Sequence, residues 1–204
     1  MKKLQVTAKM SRREGVPLTD AAKHTRALSR RPFAPGAHGP ESRTRLTDYG
    51  KQLREKQKAK RLYGLNERQF SNLFAEVSKK KGNTGEMLVQ ELESRLDNVV
   101  YRSGFAKTRP AARQAVSHAQ FMVNGKKLNI PSYRVRSGDV ISIRENKKAK
   151  GNLKGAEEVL AKKENLSWLA IDAKTLSSKV TGKPAGTELQ QPFDAKMIVE
   201  FYSR

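Results

Sequence analysis

The chain has 204 residues, room for one medium domain or two small ones, with 36% hydrophobic and 30% charged residues. Its 42 Lys and Arg oppose 20 Asp and Glu, and a formal charge of +22 repels itself unless something negative neutralises it: nucleic acid first, an anionic membrane second. With no cysteine there is no disulfide framework and no thiolate metal site, and apolar runs such as Trp168-Leu169-Ala170-Ile171 are far too short to span a bilayer.

The first 60 residues hold 16 Lys and Arg against 5 Asp and Glu, about half of the excess charge. No apolar segment follows the basic N-terminus, so it does not read as a secretory signal, and Glu14 and Asp20 argue against a transit peptide. Residues 1–40 show no sustained periodicity, only basic and turn-forming clusters: Ser11-Arg12-Arg13-Glu14-Gly15, Arg30-Arg31-Pro32 and Pro35-Gly36-Ala37-His38-Gly39-Pro40. The expectation for 1–46 is a loop-rich basic arm with too little apolar surface to offset its ordering entropy, which orders on a phosphate backbone.

A helix is expected over 47–63, capped by Thr47 or Asp48 and stopped by Gly64, with Tyr49, Leu53, Leu62 and Tyr63 facing the core. Its other faces carry Lys51, Arg54, Lys56, Lys58, Lys60 and Arg61, and Glu55 has little acidic company among them. A solvated helix alternates its charges to gain i,i+4 pairs, so this one calls for a polyanion on more than one side. Residues 66–78 place Phe70, Leu73, Phe74 and Val77 on one face, with Asn66 and Gln69 spaced for a capping box. After the basic turn 79–83, Thr84 opens a helix to Glu93 that buries Met87, Leu88 and Leu92, completing a helical domain over 47–93.

Leu92, Leu96, Val99 and Val100 form one face of a further helix over 92–102, with Gly104 just past its end. Thr108 caps a second short helix that tolerates Pro110 in its first turn and turns Ala112, Ala115 and Val116 inward. The period then changes to alternation. Residues 121–128 read as a hairpin around Asn124-Gly125, since a type I′ turn needs positive φ at both central residues. Tyr133-Arg134-Val135 and 140–143 supply two more strands. From Arg95 to Arg144 ten basic residues face only Asp97 and Asp139, and the unit (94–150) gathers Arg102, Lys107, Arg109, Arg113, His118, Lys126 and Lys127.

A basic linker (147–152) leads into a C-terminal segment, 151–204, with a short helix over 156–163 and strands at 168–172 and 179–182. Residues 197–202 are expected to close it as an apolar strand packed back on the body. The fold class is α+β. Nothing reads as catalytic: His24, His38 and His118 are scattered, no phosphate-binding glycine loop or dinucleotide fingerprint occurs, and the acid pairs Glu91/Glu93 and Glu157/Glu158 face solvent on helices. The expectation is a non-enzyme without metal, cofactor or small-molecule substrate.

Several stretches resemble a known family. Arg95-Leu96-Asp97-Asn98-Val99-Val100-Tyr101-Arg102, Arg109-x-x-Ala112-Arg113-Gln114, Ser117-His118 and Val123-Asn124-Gly125 resemble the RNA-binding module first defined in the small-subunit ribosomal protein S-four, and found also in pseudouridine synthases, some rRNA methyltransferases and a tRNA synthetase. The likeness to the bacterial S-four family then extends along essentially the whole chain. It takes in Ser11–Gly15, Pro35-Gly36-x-His38-Gly39, the run from Arg45 to Lys58, Tyr63-Gly64-x-x-Glu67-x-Gln69-Phe70, Gly82–Glu86 and Ile198-Val199-Glu200-x-Tyr202-Ser203. Many members carry a cysteine zinc knuckle near the N-terminus, and this chain departs from them.

The resemblance implies a primary binder of small-subunit ribosomal RNA at a multi-helix junction of the 5′ domain, nucleating assembly in the cytoplasm or an organelle matrix. It implies neighbours of the S-five and S-three families, a place near the channel through which mRNA enters, and a contribution to translational accuracy. RNA contact is then expected from Arg12, Arg13, Arg31, Arg43, Arg45, Tyr49, Gln52, Arg54, Lys56, Lys58 and Arg61 in the first half. In the module it is expected from Arg95, Arg102, Lys107, Arg109, Arg113, Gln114, His118, Asn124 and Lys126. The competing readings are a stand-alone RNA-binding stress factor and a fragment of an RNA-modifying enzyme.

Overall fold

The structure, a computed structural model, describes residues 6–40, 45–148, 160 and 166–204. The chain divides into two compact units, one of Met1–Val89 with Gln190–Arg204, the other of Gln90–Leu189. The segment expected as one piece after residue 150 is thus shared between them. The expected linker over 147–152 and helix over 156–163 lie outside the described residues, apart from the helical turn Glu145–Lys148 and the buried Leu160.

The first unit is helical: α1 (Ala8–Glu14), α2 (Ala22–Arg30), α3 (Asp48–Leu62), α4 (Glu67–Val77) and most of α5 (Thr84–Glu93), closed by the C-terminal helix Ala195–Tyr202. Two expectations are corrected here. The arm is not loop-rich throughout: α1 ends at Gly15 in the left-handed region (φ 72°), and the chain returns as α2. Ser11 ties the two together, its hydroxyl accepting the Leu18 backbone N–H at 3.2 Å and sharing a 2.6 Å hydrogen bond with His24 Nδ1. Ser11, Leu18 and His24 are all buried, so this piece supplies the core that its composition concealed.

The second correction is the C-terminus, a helix rather than a strand. The Asp194 carboxylate accepts the Lys196 N–H at 2.8 Å and starts the helix, while Ile198 is fully buried. Tyr202 stacks on Phe74 with ring centroids 4.6 Å apart. Helix α3 begins as expected, with Thr47 accepting the Gly50 N–H, and α4 carries the full Asn66–Gln69 capping box. The inner face of α3 matches the expected one in part: Leu62 and Tyr63 are buried as expected, but Gln52, Lys56 and Ala59 are buried with them, whereas Tyr49 is half exposed.

The second unit has α6 (Leu96–Arg102) and α7 (Arg109–Ser117) against a five-stranded antiparallel sheet in the order β2-β1-β3-β5-β4. The strands are β1 (Phe121–Val123), β2 (Lys126–Leu128), β3 (Val140–Ile143), β4 (Leu169–Asp172) and β5 (Ser177–Val180). The hairpin falls in the expected register, Val123 opposite Lys126, with φ of 50° at Asn124 and 75° at Gly125. Leu96, Val99, Val100, Ala112, Val116, Phe121, Ile141, Trp168 and Leu169 share one core. The mixed α+β class is what the sequence implied.

The helix expected over 92–102 is interrupted. Arg95 is extended (φ −70°, ψ 139°) and bridges Arg134, with Leu96 N–H donating to the Tyr133 carbonyl at 2.8 Å and Val135 N–H to the Ser94 carbonyl at 2.9 Å. The 133–135 segment expected as a strand is spent on this bridge, and the break lets Arg95, Asp97 and Asn98 turn inward, where they are buried.

Candidate nucleic-acid interface

Each unit carries a basic surface, and both are built alike: arginines rise from a buried carboxylate. In the second unit Glu93, whose side chain is 2% exposed, accepts Arg102 Nε at 2.7 Å and Nη2 at 3.0 Å, together with Asn98 Nδ2 at 2.8 Å. The Asn98 carbonyl oxygen in turn accepts Arg109 Nε at 2.8 Å, and the Arg109 guanidinium lies 4.4 Å from the Tyr101 ring centre. Asp97 receives Arg95 through two hydrogen bonds of 3.1 and 2.9 Å, and Arg113 at 3.4 Å. Such paired, charge-assisted bonds fix the plane of a guanidinium as well as its place. Lys107, Gln114, His118 and Lys126, in the same unit, are exposed.

In the first unit the buried acid is Glu14. It accepts Nη1 of both Arg54, at 3.3 Å, and Arg61. Burial pushes its pKa up, against the lowering pull of Arg54, Arg61, Lys58 and Arg13. The two arginines line an open recess of about 420 Å³ with Lys9, Arg13, Thr7, Met10, Pro35 and Gly36. Four basic side chains converging on one concavity can hold phosphate oxygens from adjacent nucleotides. Arg13, Arg31 and Arg45 are exposed, while Arg43 lies outside the described residues.

Other members of the expected set have tasks inside the fold. Gln52 is buried and donates to Glu200 at 2.9 Å. Lys56 is buried too, giving its ammonium to Glu67 at 2.8 Å and lying 4.5 Å from the Phe201 ring centre. Arg95 is spent on Asp97. All three are buried and engaged within the fold, and a desolvated polar or charged group that already has its partners is poorly placed to reach a phosphate. Arg12 fastens the chain after α2, donating Nε to the Arg31 and Phe33 carbonyls at 3.1 and 3.2 Å. Asn124 holds the hairpin, donating to Asp139 at 2.8 Å and accepting the Val140 N–H at 2.9 Å. Lys58 pairs with Glu55 at 2.6 Å, and Tyr49 leans on Phe201 with centroids 5.6 Å apart.

The sequence reading paired Asp97 with Arg95, as the structure does, but missed Lys9, Tyr101 and the acids Glu14 and Glu93 beneath the arginines. Glu93 and Asp97 sit four apart, a spacing that looks like solvent-facing neighbours on one helix until the break at Arg95 turns both inward. One serine–histidine pair, Ser11 with His24, has the form of a nucleophile and base. Both are fully buried and burial lowers the His24 pKa, with Lys23 adding to the shift, so the pair is a neutral structural link. Among the described residues no group of three or more His, Cys, Asp or Glu could hold a metal, and no helix is long and apolar enough to cross a membrane.

Residues 2–93 match the family described as "Ribosomal protein S4/S9 N-terminal domain", and residues 94–141 match the "S4 domain". Among relatives, the chain is 48% identical over 198 residues to the "Small ribosomal subunit protein uS4" of Hahella chejuensis, covering 96% of each chain. It is 49% identical over 201 residues to the protein of that name from Ralstonia pickettii, and 46% over 199 residues to that from Cupriavidus metallidurans, in both cases covering 97% of this chain and 96% of the relative. At this identity and coverage, with both domains in family order, the chain belongs to the family of the bacterial small ribosomal subunit protein uS4.

Proposed function

We propose that this protein is a structural constituent of the small ribosomal subunit that binds small-subunit ribosomal RNA, and is not an enzyme. The observation that carries the reading is the pair of basic surfaces on carboxylate-anchored arginines, Arg54 and Arg61 in one unit and Arg102, Arg109 and Arg113 in the other. Phosphates from several helices crowd at an RNA junction. Two basic faces on one chain neutralise them together, and helical RNA is read through backbone and shape because its deep major groove is closed to side chains. The finer reading is a primary binder of a 5′-domain junction that nucleates assembly in the bacterial cytoplasm. It lies beside S-five and S-three proteins near the channel through which mRNA enters, and contributes to accuracy there.

The test is binding of the purified protein to the 5′ domain of small-subunit rRNA and to an unrelated duplex of equal length across a salt series. Tighter binding to the rRNA at every salt supports the reading, and equal affinities reject it. Replacing Arg109 and Arg113 together by Ala is expected to weaken rRNA binding about tenfold or more and to lower the salt slope by about one to two units. An unchanged slope removes this face from the interface.

A further inference from the structure

The acids within the basic face of the second unit have a consequence that attraction alone does not explain. A carboxylate set among arginines subtracts from the field that draws a polyanion, yet Glu93 lies at the centre of the cluster, 1% exposed. It grips Arg102 through two donors, and through Asn98 it reaches Arg109, whose plane is set on its other side by the Tyr101 ring. Arg109 Nη2 is also 3.9 Å from Glu93, so one carboxylate governs two guanidiniums carried by two different helices.

We propose that Glu93 and Asn98 are positioning residues for RNA recognition: they hold Arg102 and Arg109 in one fixed geometry, exchanging general affinity for selectivity towards a structured RNA. The proposal rests on the RNA-binding function given above. Guanidiniums on free side chains follow any phosphate row and bind it at the expense of their rotamer freedom. Fixed ones meet only phosphates already spaced to match, and lose less freedom on doing so. Long-range attraction and short-range orientation therefore respond in opposite senses when the carboxylate is neutralised.

The experiment compares the full chain with its Glu93→Gln and Asn98→Ser variants, against rRNA 5′ domain and an unrelated duplex of equal length, with thermal unfolding measured alongside. Glu93→Gln raises the net charge by one, so duplex binding is expected to hold or tighten while rRNA binding falls about tenfold. Asn98→Ser, with no change of charge, is expected to lower rRNA binding and leave duplex binding as it was. Parallel tightening on both RNAs overturns the proposal, because the carboxylate then only subtracts charge. Parallel weakening with a lowered melting temperature overturns it as well, leaving a purely structural role. Should Glu93→Gln fail to fold, Asn98→Ser decides, since it strands no buried charge. A wild type without preference for the rRNA rejects the proposed function itself, whereas a discriminating wild type whose variants keep the full ratio rejects this proposal alone.

Discussion

Glu67 shows how single residues absorb charge that the sequence leaves apparently unopposed. Burial works to raise its pKa, but hydrogen bonds from Lys56, Lys60 and Tyr202 outweigh it and bring the value to about 2, from an ordinary 4.5. A carboxyl group with a depressed folded pKa contributes stability that is fully present above its unfolded value and is lost as pH falls through the folded one. The contribution of Glu67 is therefore expected to disappear between about pH 4.5 and pH 2. Urea unfolding of wild type and Glu67→Gln at a series of acid pH values checks this. The variant should lose less stability than wild type across that window, and identical acid limbs would show that the Lys56–Glu67–Lys60 link contributes nothing. The same carboxylate accepts the Tyr202 hydroxyl at 3.0 Å, and burial with that bond raises the tyrosine's pKa.

At the scale of elements, the C-terminal helix offers the clearest test of local structure. A strand over 197–202 has no use for the Asp194 side chain, whereas the helix uses it as N-cap to the Lys196 N–H. Asp194→Ala is expected to destabilise the protein by about 0.5–2 kcal/mol in denaturant unfolding; a change near zero would leave the helix start uncapped in effect. Elements specified by near neighbours were legible in the sequence. The Asn124-Gly125 hairpin, the Thr108 cap and the Asn66–Gln69 box each depend on residues within a few positions. Elements decided from afar were not. Helix α3 seemed short of acids because its partners are Glu14 before it and Glu67 and Glu200 after it. The break at Arg95 is set by Tyr133 and Arg134, some forty residues on. The candidate surface divides in the same way. Exposed Arg13, Arg31, Lys107 and Lys126 follow from charge alone, while the inward turn of Gln52, Lys56 and Arg95 needed the partners that tertiary structure brings.

For the molecule as a whole, a net charge of +22 predicts opposite salt effects on folding and on binding. Added salt screens the self-repulsion of the free protein, so its melting temperature is expected to rise from low ionic strength towards physiological values. The affinity for RNA falls over the same range as counterions compete for the phosphates. Calorimetry and binding in matched buffers test the pair, and a melting temperature that falls with salt would mean that the internal ion pairs outweigh the repulsion. The slope of binding should correspond to far fewer phosphates than the 42 Lys and Arg would suggest, because cations such as Lys56, Lys58, Lys60 and Arg95 are engaged by acids of the chain itself.

The C-terminal helix lies on α3, and all of Gln90–Leu189 is translated between them. On the nascent chain the first unit emerges early but lacks the segment that covers Phe74 and ties Gln52 and Glu55 to Glu200 and the Asp194 N–H. The middle unit, continuous in sequence, can complete its own core before that. Folding order is thereby the reverse of synthesis order at this one seam: the part made first is finished last. Arrival of the segment 190–204, rather than emergence of the N-terminal helices, becomes the event that completes the first unit.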